Sequence, residues 1–117
     1  MKRRVRFVLL LVLASALASG CSARREREAT LRLDLQMMRH AIDKYTLEKE
    51  QAPQSLQDLV NGHFLKEIPT DPFTRKKDWV PQFDSVVLSL EQSSTGLVDV
   101  RSASRQVNDA GIAYNMW

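Results

Sequence analysis

Between residues 24 and 49 the chain contains neither glycine nor proline, and Leu31, Leu35, Met38, Ile42 and Tyr45 recur at alternating steps of four and three. That period puts all five on one narrow face of an α-helix. Ala41 widens the face, while Arg32, Asp34, Arg39, Asp43 and Lys44 take the polar side. A helix of this kind needs one partner, a small sheet or a second helix, to cover its stripe. The stripe is read either as core, used up inside the domain, or as a seam for assembly with other subunits. Ahead of it, Arg24-Arg25-Glu26-Arg27-Glu28 is wholly charged. It is expected to project as a membrane-proximal stalk over residues 21–28, or to form an unstructured linker.

The rest of the chain is expected to cover the stripe. Gln51-Ala52-Pro53 must stop the helix, because proline lacks a donor and disfavours α geometry in the residue before it. Ser55 then reads as an N-cap with Asp58 three residues on, opening a short helix through Val60 that Asn61-Gly62 ends. Pro69-Thr70-Asp71-Pro72 breaks regular structure again. Residues 86–90, rich in β-branched types, read as a strand, residues 92–96 as a turn, and residues 97–101 as the returning strand of a hairpin. Leu97 or Val98, with Val100, are the candidates for its buried side. Asn108-Asp109-Ala110-Gly111 reads as a turn, and Trp117 as a plug on the core. The expected fold class is α+β: a long N-terminal helix on a small antiparallel sheet, over residues 29–117.

The first 20 residues have a different character. Lys2, Arg3, Arg4 and Arg6 precede the apolar run 7–18, which is short of the roughly 20 residues a spanning helix needs. This is the pattern of a cleaved export signal with the body outside the cytoplasm, the alternative being a short retained anchor. Leu17-Ala18-Ser19-Gly20-Cys21 resembles a lipobox, with Leu one place upstream of its commonest position. Cys21 is therefore the expected lipid-attachment site, and a membrane the expected first partner; otherwise it is an incidental small residue. The implied location is the cell envelope, lipid-anchored in a bacterial membrane with the domain facing the periplasm. Ser22, in place of the aspartate that commonly retains lipoproteins at the inner membrane, favours onward export. The signal carries four of the chain's 17 basic residues, so its removal turns a net charge of +3 into −1. No basic stripe with interleaved aromatics remains, which excludes a nucleic-acid partner. A lone cysteine excludes an internal disulfide.

Residues 31–45, Pro53-Gln54-Ser55-Leu56-Gln57-Asp58-Leu59-Val60, Ile68-Pro69-Thr70-Asp71-Pro72-Phe73-Thr74, Trp79-Val80 and Val98-Asp99-Val100-Arg101-Ser102 follow one another in an order that resembles the globular domains of major pseudopilins of type II secretion systems. The resemblance covers residues 28–117. It implies a long helix on a small antiparallel sheet, and subunits that stack by their N-terminal helices into a periplasmic filament. Two departures qualify it. Relatives are processed at Gly-Phe-Thr-Leu-x-Glu, where the glutamate offsets the N-terminal amine of the next subunit. Arg6-Phe7-Val8-Leu9-Leu10-Leu11 has Arg at the glycine position and Leu11 at the glutamate position, and an unpaired charge in lipid is costly. A lipid on Cys21 would replace the missing transmembrane anchor. Relatives also often bind calcium in the C-terminal loop, whereas here Arg105 falls where a carboxylate would be needed. Calcium takes about six to eight oxygens, so Asp99 and Asp109 are expected to serve as a strand end and a turn, with no metal and no cofactor.

Nothing in the sequence supports catalysis. His40 and His63 have no partner at metal-ligand spacing. No phosphate loop or nucleophile elbow is present, and the acidic residues are interleaved with Lys and Arg. Two classes of function follow. One is a structural or assembly component of a secretion machine, meeting other pseudopilins or secretion-machine proteins through the stripe or through a candidate partner loop at Asp71, Arg75, Lys76 and Lys77. The other is a free-standing lipoprotein that uses the same fold as a ligand- or protein-binding module.

Overall fold

The structure, a computed structural model, describes the backbone of residues 2–117 and the side chains of residues 20 and 22–117. The side chains of residues 1–19 and of Cys21, on which the expected export signal and lipid-attachment site fall, lie outside the described residues. Helix α1 (Lys2–Lys49) is unbroken and ends with Lys49 in its last turn, where a cation suits the helix dipole, and with Glu50 in the left-handed region at φ 52°. Leu31, Leu35, Met38 and Ile42 are each at most 2% exposed. Thr46 extends the buried line because its hydroxyl donates to the Ile42 carbonyl at 2.9 Å. Tyr45 sits at the margin, half-buried, with its ring edge-on to Phe64.

After α1 the chain turns back at Ala52 and Pro53, both buried. Helix α2 (Leu56–Asn61) starts at Ser55, whose hydroxyl accepts from the Asp58 amide, while the Asp58 carboxylate accepts from the Gln54 amide at 2.8 Å. Both ends of this small box satisfy amides that the first helical turn leaves free. The left-handed residue that reverses the chain beyond α2 is His63, at φ 63°, and not Gly62. Leu59 then lies fully buried under α1.

Strands β1 (Val80–Val87) and β2 (Ser93–Arg101) pair antiparallel, from Val80 opposite Arg101 to Val87 opposite Ser93. The tight turn is residues 88–92, closed by the Leu88 and Ser89 amides on the Gln92 carbonyl. This corrects the expected turn at 92–96 and the expected first strand at 86–90. Gly96 lies within β2, where residues 52–54 cross its free edge: the Leu97 amide donates to the Pro53 carbonyl at 2.7 Å. A Cβ on Gly96 would lie 2.6 Å from that same carbonyl oxygen. Glycine serves here for close approach and not for a turn.

A bulge sets the face that β2 buries. Gln82 opposes Asp99 but Phe83 opposes Leu97, leaving Val98 as the extra residue. Leu97 and Val100, three apart, thereby both reach 0% exposure in contact with the α1 stripe, while Val98 is half-buried. Strand β1 contributes little to the core: Phe83 and Val87 are exposed, as is Leu90 in the turn.

The tail closes the domain. Val107 bridges Ala113 across a turn in which the Asn108 side chain accepts from the Ala110 and Ile112 amides. A single 3-10 turn (Tyr114–Met116) follows. Tyr114 is fully buried, stacked on Phe73 with centroids 3.9 Å apart, and Trp117 meets it edge-on. The architecture is α+β, one long helix packed on a two-stranded antiparallel sheet.

Gly96→Ala is expected to lower the stability of the domain by roughly 1–3 kcal/mol, since the clashing atom is backbone and cannot rotate aside. Urea denaturation followed by circular dichroism measures it.

Candidate functional site

The expected functional residues fall into three regions. The first is the stripe, and it is core. Leu31, Leu35, Met38 and Ile42 face β2 and the loops, and Tyr45 packs on Phe64, leaving none of the first four accessible to another subunit. The apolar side chains that α1 does expose, Leu33, Met37 and Leu47, lie on its other sides.

The second region is the loop at Asp71. Asp71 is fully buried, which corrects its expected place in a surface open to a partner. Its Oδ1 accepts from the Phe73 and Thr74 amides, and its Oδ2 accepts from the Ser102 hydroxyl. The backbone closes the same loop, Arg75 amide to Asp71 carbonyl and Asp71 amide to Lys76 carbonyl, at 2.8 and 2.9 Å. Ser102 accepts in turn from the Ser104 amide. Asp71 is thus a rivet between the loop and the chain leaving β2, holding a buried charge by several donors as burial requires. Arg75, Lys76 and Lys77 are exposed, with Arg75 left-handed at φ 59°. Beside them Trp79 is buried, its indole N–H donating to the Pro69 carbonyl at 2.7 Å.

The third region is the stretch of α1 around residues 24–28, expected to be a membrane-proximal stalk. The expected stalk is held against the domain from Arg24 onward. The Tyr114 hydroxyl donates to Glu28 Oε1 at 2.6 Å and accepts from Arg24 Nε at 3.2 Å. Arg24 also reaches the Val107 carbonyl and lies 3.5 Å from Asp109. The Arg27 guanidinium covers the Phe73 ring. Burial, reinforced by the bond to Glu28, pushes the Tyr114 hydroxyl above its ordinary pKa, so it is held as a donor. Among the described residues, the domain's own contacts thus reach up to Arg24, three residues after Cys21.

Of the two carboxylates considered for calcium, Asp99 is engaged within the fold and Asp109 is exposed. Arg39 Nε donates to Asp99 Oδ1 at 2.6 Å, and its Nη2 donates to the main-chain oxygens of Val100 and Trp117. Asp109 faces Arg24. Among the described residues no three His, Cys, Asp or Glu side chains group as metal ligands. His63 is exposed at the reversal after α2. His40 is exposed on the rim of a shallow groove of about 510 Å³ between α1 and Trp117, where the Arg32 guanidinium stacks 4.6 Å from the indole centroid. Among the described residues no helix is long and apolar enough to cross a membrane.

Sequence reasoning placed the stripe but missed the three polar ties, because each joins residues 31 to 90 positions apart. A tyrosine that packs with its ring buried needs a partner for its hydroxyl; that was the available signal, without a way to name Glu28. No known protein family, curated protein or solved structure matches this chain.

One titration follows from the burial of Asp34. Half-buried Asp34 is held above the ordinary carboxylate pKa, chiefly by burial and further by the Asp71 charge. A raised carboxyl favours the protonated fold, so its stabilising effect is present below the unfolded pKa and is lost as pH rises through the folded value. Asp34→Asn is therefore expected to raise thermal stability near neutral pH, by less than about 1 kcal/mol given solvent screening. The gain should vanish toward pH 3, as read from melts across that range.

Proposed function

We propose that this chain is a non-enzymatic structural or assembly component of the bacterial cell envelope: a pseudopilin-like domain, held at the membrane by a lipid on Cys21 and facing the periplasm. The observation that carries the reading is the continuity of α1. From Cys21 onward α1 runs into the buried stripe without a break, and among the described residues tertiary contacts reach up to Arg24. A lipid at Cys21 would then join the rigid domain within a single helical turn, with no flexible tether between anchor and body. The ordered resemblance of residues 28–117 to major pseudopilins supplies the class of function, and Arg6 in place of the glycine before Phe7, with Leu11 in place of the glutamate, argues for membership by lipid anchoring in place of filament registration. With the α1 stripe consumed inside the domain, contact with other pseudopilins or secretion-machine proteins falls to the exposed surface.

A second reading rests on the groove beside Trp117. Its arginines and indole give a free-standing lipoprotein a place to hold a ligand or a protein segment.

A tagged copy of the native chain, extracted in detergent and compared with Cys21→Ser, tests both parts. The expected result is an intact mass that starts at a diacylglyceryl-modified Cys21, with the modification lost in the variant, and envelope secretion proteins in the eluate. An unmodified chain that retains residues 7–20 would reject the lipid anchor. Recovery of the protein alone, with no membrane complex, would reject the assembly role.

A further inference from the structure

Three stretches build the end of the domain from which residues 2–20 depart: residues 21–28 of α1, the loop 71–78 and the tail 105–112. Arg27 on Phe73, Phe73 on Tyr114, and Arg24 on Val107 and Asp109 lock them together. Charge is divided unevenly between this end and the rest. The three stretches hold seven basic and five acidic residues, one of the acids being the buried Asp71, whereas the rest of the chain beyond residue 20 holds six basic and nine acidic. A body with a slightly negative total is thus positive at one end and negative elsewhere.

Five of the seven basic residues at this end are also exposed and free of ion pairs among the described residues. Arg25, Arg75, Lys76, Lys77 and Arg105 are exposed, and among the described residues no carboxylate forms an ion pair with any of them, the ion pairs there being those of Arg24, Arg39 and Lys44. Arg75 keeps its cation in a left-handed conformation that glycine would adopt without strain. Along α1 the rise of 1.5 Å per residue puts Arg27 about 10 Å from residue 20. That distance is comparable to the Debye length, which is about 8 Å at physiological salt. A bilayer holding a lipid on Cys21 would therefore have its head groups within electrostatic reach of the loop that packs on Arg27.

We propose that Arg25, Arg27, Arg75, Lys76, Lys77 and Arg105 form a basic collar that seats the domain on an anionic phospholipid surface, fixing the orientation of α1 relative to the membrane. The inference rests on the lipid-anchor reading, which supplies the nearby bilayer. A diffuse set of exposed cations with no pocket between them suits a field of phosphate head groups.

The test uses the full-length chain, purified in detergent and reconstituted into vesicles of phosphatidylcholine with and without phosphatidylglycerol. Flotation through a density gradient reports anchoring. Acetylation by an uncharged reagent, followed by mass spectrometry, reports lysine accessibility. Lys76 and Lys77 are expected to react at least about threefold more slowly on the anionic vesicles than on the neutral ones, with the difference lost in high salt. Lys44 and Lys49, about 26 Å or more along α1 from Arg27, should react equally on both. Chain that floats with both vesicles but shows equal rates at Lys76 and Lys77 would overturn the collar and leave an acidic protein as its partner. Chain that floats with neither would overturn the anchor and the collar together.

Discussion

The whole domain depends on covering one apolar stripe of one helix. Leu31, Leu35, Met38 and Ile42 lose almost all contact with water, and burying each contributes roughly 2 kcal/mol. The cover is assembled from pieces that are weak alone. A two-stranded hairpin is marginal in water, and β1 is exposed along most of its length. Only β2 lies on the stripe, and it does so because the bulge at Val98 turns both Leu97 and Val100 toward α1. Ala52 and Pro53 close its other edge, and Leu59, Leu65, Phe73, Trp79 and Tyr114 fill the remainder.

Polar ties then fix pieces that hydrophobic burial alone would leave free to slide. Asp71 with Ser102 fastens the proline-rich loop to the end of β2, Arg39 with Asp99 fastens β2 and Trp117 to the middle of α1, and Tyr114 with Arg24 and Glu28 fastens the tail to the turn of α1 at residues 24–28. Each joins segments distant in sequence, and the three buried members, Asp71, Ser102 and Tyr114, have partners for their polar atoms. A partner lost at such a site leaves a desolvated group behind, which is why these ties confer specificity beyond their net energy.

What was legible in the sequence was what local periodicity determines. The four-and-three spacing gave α1 and its buried residues, and Ser55 with Asp58 gave α2, because both are set within a few positions. The hairpin was legible as a hairpin, but its turn was misplaced by four residues: Gly96 looks like a turn glycine until the crossing at Pro53, 43 positions away, explains it. Asp71 between two prolines was readable as a turn residue, while its burial depends on Ser102. The charged residues 24–28 looked like a solvated stalk since nothing local reveals that Tyr114 needs Glu28. Long-range polar pairing, and not propensity, decided every one of these.

The consequence for function is mechanical. With tertiary contacts reaching Arg24, the anchor proposed at Cys21 and the folded body would move as one rigid piece, and orientation at the membrane would be transmitted through α1. Amide hydrogen exchange across α1 in the native protein tests this most directly. The account predicts that amides of residues 28–31 are protected to the same global unfolding free energy as those of Leu97 and Val100. Exchange of residues 28–31 at the rate of a fraying helix end, with β2 still protected, would contradict it and return these residues to a free stalk.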